Sequence, residues 1–189
     1  DKTIFVYPPN INKWKLDSNR IKILVTFIVV VFAWFYGYLN SGIDVAPLVS
    51  KVIPEGAIYE KQGDMFIAYD KDKLNVIGYA LVGSGPGYSG PIEVIVGVDV
   101  LGIVTGVHVV DQRETPGFFR LIENSSLISQ FVNKEVDSNF LIGEGIDAIS
   151  GATLSAEGIA LATRSAIRKI ALEKLDLEIP EENQLIEFG

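Results

Sequence analysis

The longest unbroken apolar stretch in the chain is IKILVTFIVVVFAWFYGYL, residues 21–39. Lys22 stands at its edge, and no further charge occurs until Asp44. As a helix it spans about 28 Å, close to the hydrocarbon thickness of a bilayer. It has no polar stripe of the kind an amphipathic core helix carries. Trp34, Tyr36 and Tyr38 gather at its C-terminal end, where amphipathic rings favour the membrane interface. The run is longer than a signal-peptide core, and no small-x-small cleavage site precedes Asn40. The pattern predicts one transmembrane helix.

Beyond it the period changes. Residues 41–53 read as a polar exit punctuated by Gly42, Pro47 and Pro54. Residues 66–69 and 76–82 are short β signals separated by a charged turn at Asp70-Lys71-Asp72-Lys73. Residues 83–91, GSGPGYSGP, have the composition of a loop. The β-branched runs 92–98 and 103–110 then predict a hairpin that turns at 99–102. Strict alternation in its second strand puts Ile103, Thr105, Val107 and Val109 on one face. Val104, Gly106, His108 and Val110 fall on the other. From Gly117 the spacing turns helical. Residues 121–131 read as helix broken at Asn124-Ser125-Ser126. Residues 155–175 are the clearest helix, with Ile159, Ala162, Ala166 and Ile170 along one side. The acidic tail 178–189, with Pro180, reads as peripheral. Hairpins and helices do not alternate strictly, so the expected class is α+β.

Charge sharpens this division. The 189 residues carry a formal net charge of −8 and a mean hydropathy of +0.30, high for so acidic a chain. Residues 1–40 hold five bases against two acids, and the remainder 11 against 22. Four Lys/Arg lie within 13–22 and none within 23–50. The positive-inside rule then places residues 1–20 in the cytoplasm, 21–39 in the membrane and the acidic domain 40–189 outside it. In a bacterium that is a plasma-membrane protein whose working domain faces the periplasm or exterior. An acidic domain offers no basic stripe for nucleic acid. With no cysteine, the chain cannot hold Cys-ligated zinc, an iron–sulfur cluster or thioether-linked haem. Its single histidine, His108, rules out bis-His haem within this chain, and a lone His in an apolar strand reads as structural. Any redox chemistry here needs an organic cofactor or a partner's metal.

The stretch with chemical content is Asp147-Ala148-Ile149-Ser150-Gly151-Ala152-Thr153, followed by Leu154-Ser155 and the long helix. Small residues allow close backbone approach. Thr153 offers a hydroxyl near a helix N-terminus, where unpaired N–H groups favour an anion. Glu157, expected in the first turn, would compete with a bound phosphate. The residues alone leave a second reading open, in which Ser150, Thr153 or Ser155 is an ordinary N-cap.

Asp-x-x-Ser-Gly-Ala-Thr closely resembles the flavinylation motif of the FMN-binding domain family. That family includes the G subunit of the Rnf ferredoxin:NAD oxidoreductase and the C subunit of the sodium-translocating NADH:quinone oxidoreductase. Gly87-Tyr88-Ser89-Gly90-Pro91-Ile92 is similar to the family's Gly-Tyr-x-Gly-Pro-Ile segment, and Glu114-Thr115-Pro116-Gly117 to its Glu-Thr-Pro-Gly segment. Members commonly continue with Leu-Gly, whereas this chain has Phe118-Phe119. The resemblance implies FMN joined through its phosphate to Thr153 by a dedicated flavin transferase. Asp147, Ser150, Gly151, Ala152 and Leu154 then surround the attachment point. Tyr88, Glu114, Thr115, Pro116 and Gly117, with Phe118 or Phe119, frame the flavin ring. It implies an electron-transfer subunit of a multi-subunit, ion-translocating oxidoreductase, with no catalytic residue and no metal of its own. A compact domain without long insertions favours the Rnf type. The alternatives are the C subunit of the quinone reductase and a membrane-anchored flavin module of a regulator or separate extracytoplasmic reductase.

Overall fold

The computed structural model describes residues 18–39 and 44–177. The chain divides into two compact units, Asp1–Ile43 and Asp44–Gly189. Lys2, Lys13 and Lys15 of the basic flank, Asn40 and the acidic tail 178–189 lie outside the described residues. In the first unit, helix α1 runs Ser18–Leu39. Its stretch Asn19–Gly37 is the one helix among the described residues long and apolar enough to cross a membrane. Phe27, Phe32 and Trp34 stand two-thirds exposed around it. A helix apolar on every side has no face made for water, which makes this one a candidate membrane span.

The second unit is built on an antiparallel meander. Strands β1 (Ile58–Gln62), β2 (Met65–Tyr69), β3 (Val76–Pro86), β4 (Pro91–Asp99) and β5 (Val104–Asp111) lie side by side in chain order. Edge strand β1 exposes Glu60, Lys61 and Gln62, charged and polar side chains that discourage pairing with another chain. Sequence reading overlooks this strand because its residues do not alternate apolar and polar. The expected loop at 83–91 is mostly strand. Gly83 to Pro86 continue β3, Pro91 opens β4, and only 87–90 turn. The glycines answer to packing rather than to turning. A Cβ on Gly83 would lie 2.0 Å from the Ala162 carbonyl oxygen, and one on Gly85 2.1 Å from that of Gly158.

Those carbonyls belong to helix α4 (Thr153–Ile170), which lies across β3 and β4 and ends in a single π-turn, Ala171–Leu175. Ile92, Val94, Val96 and Val98, one face of β4, share a buried core with Ala156, Ile159, Ala162, Ala166 and Ile170 of α4. Helix α3 (Pro116–Glu123) adds Phe119 and Ile122 to the same core. It ends at Asn124, as its polar break predicts, and a 3-10 turn follows at Ile128–Gln130. The opposite face of the sheet carries a smaller core of Phe66, Ala68, Ala80 and Ile95. It is covered by helix α2 (Ala46–Val52) through Val49 and Val52, with Ile53 just after it. Within the polar exit expected at 41–53, residues 46–52 are helix instead, while 41–43 lie outside the described residues; Pro47 sits in the first helical turn, where its missing N–H costs nothing.

The strict alternation expected along β5 also fails. Gly97 pairs with Gly106 but Val98 pairs with Val104, so Thr105 is the extra residue of a β-bulge. Val104 thereby joins Val107 and Val109 on the α4 side. Thr105 turns the other way and donates its hydroxyl to the Val52 carbonyl at the end of α2. The half-buried His108 pairs with Ile95. Its pKa is lowered, first by burial and then by the charge of Lys51 on α2.

Candidate functional site

The chain brings its three sequence motifs together at one end of β3 and β4. The first is the turn between those strands, closed by Gly87 N–H donating to the Gly90 carbonyl at 2.9 Å. The second follows β5: Thr115 is the extended N-cap of α3, and its carbonyl accepts from Phe118 and Phe119 N–H at 2.9 and 3.0 Å. Pro116 opens that helix. The third is the turn that enters α4.

Glu114 connects all three. It is 6% exposed. Its Oε1 accepts the Ser89 N–H at 2.8 Å, and its Oε2 accepts the Ser155 hydroxyl from the first turn of α4. Its own N–H donates to Gln112 Oε1 at 2.6 Å. A Cβ on Gly87 would stand 2.6 Å from Glu114 Oε1, so only glycine leaves room for the carboxylate there. Glu114 therefore braces the site from beneath, with both oxygens bonded to protein groups. Ser155 and Ser89 escape sequence reading as its partners, since nothing local marks a contact 41 residues apart.

Around Thr153 the turn is open. Gly151 adopts a left-handed φ of +82°, a conformation costly for a side chain. Ala152 is buried, and its N–H donates to the Ile149 carbonyl at 3.0 Å. Helix α4 starts at Thr153, two residues before the expected start, and its N-cap is Ala152. Neither Ser150, Thr153 nor Ser155 caps it, because there is no side-chain cap bond. The first-turn N–H groups keep their outward donors. The earlier start also removes Glu157 from the first turn, which holds no acidic residue. Thr153 is exposed, with Oγ1 3.4 Å from the Ile149 carbonyl, a weak contact that leaves the hydroxyl accessible. Ser150 and Asp147 are exposed as well, and the Asp147 N–H donates to Gln130 Oε1 at 2.7 Å.

Apolar side chains are exposed next to Thr153 and along α3. Leu154 is 47% exposed and Phe118 50%. Leu121 of α3 comes so close to the turn that a Cβ on Gly151 would lie 3.3 Å from its Cδ1. Gly117 faces open space, with nothing within 4 Å of where a Cβ would sit. Tyr88 projects from the β3–β4 turn, largely exposed. Of the Phe pair, Phe119 is buried in the main core and only Phe118 is available to a ligand. An accessible hydroxyl at an uncapped helix start, with the exposed Leu154 next to it, suits an anionic ligand such as a phosphate.

The chain is similar to known proteins over this region. The FMN-binding domain model matches residues 87–168, from the β3–β4 turn through most of α4. The G subunit of an ion-translocating oxidoreductase complex from Methanosarcina acetivorans is 29% identical over 67% of this chain and 74% of its own length. The corresponding Haemophilus influenzae protein is 35% identical over 69% of this chain and 65% of its own. The match thus leaves about a third of the Haemophilus protein outside it. The G subunit of the Na+-translocating ferredoxin:NAD+ oxidoreductase complex of Acetobacterium woodii is 26% identical over 64% of this chain and 62% of its own. Among solved structures, Shewanella oneidensis NqrC aligns with a TM-score of 0.46 and 21% identity, over 68% of this chain and 69% of that one. Residues 87–168, which contain the Gly87 turn, Glu114 and Thr153, are thus the part of the chain that is similar to the FMN-binding domain family.

Proposed function

We propose that the chain is the FMN-carrying electron-transfer subunit of a membrane-bound, ion-translocating oxidoreductase complex of the Rnf type, with FMN joined by a phosphoester to Thr153. One observation carries this. The segment matched by the FMN-binding family coincides with the unit in which Glu114 ties the Gly87 turn to the helix start bearing Thr153. Bound FMN supplies the electron-accepting and electron-donating chemistry. The chain's own residues supply attachment, orientation and shielding. Thr153 Oγ1 is the acceptor atom, and the uncapped first turn of α4 holds the phosphate. Leu154, Phe118 and Leu121 offer apolar surface to the ring, while Gly117 lets it approach the backbone. Thr153 takes no part in turnover.

Helix α1 is the membrane anchor, with the basic flank cytoplasmic and the domain 40–189 extracytoplasmic. A covalent link keeps the cofactor in place where free FMN is scarce. Residues 23–39 hold no ionisable acid or base beyond Tyr, so ion movement belongs to partner subunits. Attachment belongs to a separate flavin transferase.

Mass spectrometry of the protein from native membranes tests the linkage. The expected gain is one FMN less one water, located on the peptide containing Thr153 and lost in Thr153→Ala. Unmodified Thr153 in native membranes refutes it. Copurification with polytopic redox subunits supports the complex, whereas recovery of the flavinylated chain alone argues against it.

A further inference from the structure

We propose that Glu114 is a positioning residue, a two-ended clamp that sets the entry turn of α4 and so presents the Thr153 hydroxyl for FMN attachment. The inference rests on the flavin reading above and adds to it the residue that orders the acceptor. Glu114 is 6% exposed, so its carboxylate is removed from bulk water. A buried carboxylate persists only where donors satisfy it. Here the two donors come from different elements: the Ser89 N–H of the β3–β4 turn and the Ser155 hydroxyl of α4.

Ser155 is 3% exposed and lies two residues after Thr153. Two residues along a helix is little more than half a turn, so fixing Ser155 fixes the azimuth at which Thr153 leaves the helix. The other end is equally determined. Gly87 stands against Glu114 Oε1 with no room for a Cβ, and Gly87 N–H closes the turn on the Gly90 carbonyl. Beneath the clamp, a Cβ on Gly158 would lie 2.3 Å from the Pro86 carbonyl, so α4 cannot slide toward β3 to compensate. The turn carrying Thr153 has no side-chain cap of its own. Its order comes from this contact across the fold, and transfer to a hydroxyl depends on such placement.

The test uses the full chain in detergent and four variants: Glu114→Ala, Glu114→Gln, Ser155→Ala and the Glu114→Ala/Ser155→Ala double. Two quantities are read. The first is the initial rate of FMN incorporation with flavin transferase and a flavin dinucleotide as donor: the Thr153 Oγ1–P bond forms as the donor's pyrophosphate bond breaks, and the nucleoside monophosphate leaves with the hydroxyl proton. The second is amide hydrogen exchange at Ser89 and across the first turn of α4, measured before any flavin is attached. Glu114→Ala and Ser155→Ala should each slow loading on the order of tenfold to a hundredfold. The double variant should be no slower than the slower single variant, because both remove one linkage. Glu114→Ala should speed exchange of the Ser89 amide by about tenfold. Glu114→Gln keeps an acceptor for Ser89 and a partner for Ser155, and should restore both readouts to near wild type.

Wild-type loading in both Glu114→Ala and Ser155→Ala overturns the clamp. So does a Glu114→Gln variant as slow as Glu114→Ala, which would make negative charge the operative property. If Glu114→Ala does not fold, wild-type loading in Ser155→Ala alone refutes the proposal, and slowed loading with local loss of protection at α4 supports it. If the wild-type chain itself takes up no FMN, the function reading fails. The exchange data then decide the clamp separately, and unchanged protection at Ser89 and α4 in the variants rejects it.

Discussion

The tight approach of α4 to β3 gives a quantitative prediction. At Gly85 a Cβ would sit 2.1 Å from the Gly158 carbonyl oxygen and 2.8 Å from the Ala162 amide nitrogen. Ordinary contact begins at 3.4 Å. Both obstructing atoms are backbone, so no side chain can rotate away. Gly85→Ala must therefore lift α4 from β3 by about 1 Å, a gap at which packed atoms forfeit a quarter to a half of their attraction. The apolar residues affected include Ala156, Ile159, Ala162 and Ala166. We expect a loss of about 3 kcal/mol, the upper end of overpacking penalties. At about 3 °C per kcal/mol for a domain of this length, Tm falls by about 10 °C. Gly117→Ala is the control. Nothing lies within 4 Å of its added Cβ, and it sits in the first turn of α3. The same chemical change should raise stability there by about 0.4–1 kcal/mol through the unfolded chain alone. Thermal unfolding followed by circular dichroism on the full chain in detergent reads both. A Gly85→Ala variant melting within about 2 °C of wild type, less than 1 kcal/mol by the same scaling, would refute the close packing of α4 on β3.

Thr105→Val should loosen α2, because the Val52 carbonyl loses its hydroxyl donor in a partly buried setting. A cost of about 1–3 kcal/mol is expected, read as a lower urea midpoint. His108 should make the domain less stable in acid. Its folded pKa lies below the ordinary 6.5, chiefly through burial and then through Lys51. The unfolded chain binds the extra proton first, so stability is lost as pH falls through 6.5 toward the lowered value and is level above. His108→Gln should flatten that part of a Tm-against-pH curve, and an unchanged slope would show that His108 does not set it.

Much of the fold was legible where one local pattern ruled. The run at 21–39 is uninterrupted, and α1 is where its length demands. The β4–β5 hairpin and the break at Asn124 followed from two β-branched runs and from polar residues placed between helical turns. The failures share a cause, which is contact with something distant. Gly83 and Gly85 look like loop residues until α4 is laid across them. The bulge at Thr105 reverses one step of alternation so that a hydroxyl can reach α2, 53 residues away. Helix α2 has only seven residues and a proline, too few for a period to show. The same holds at the site. Thr153 and the segment at 114–117 were readable as motifs, but the bracing role of Glu114 depends on Ser89 and Ser155, and no local signal joins them.

The order of the sheet bears on when the site comes into being. Strands β1 to β5 are neighbours in space in the order they leave the ribosome, so each can pair with the one just made. Helix α4 is the last long element among the described residues, and it packs on strands synthesised roughly 60 to 80 residues earlier. Thr153 therefore reaches its final geometry only after the whole meander is assembled. Any enzyme that recognises the finished turn would act on completed domains and pass over partial ones, so that modification at Thr153 doubles as a record of successful folding.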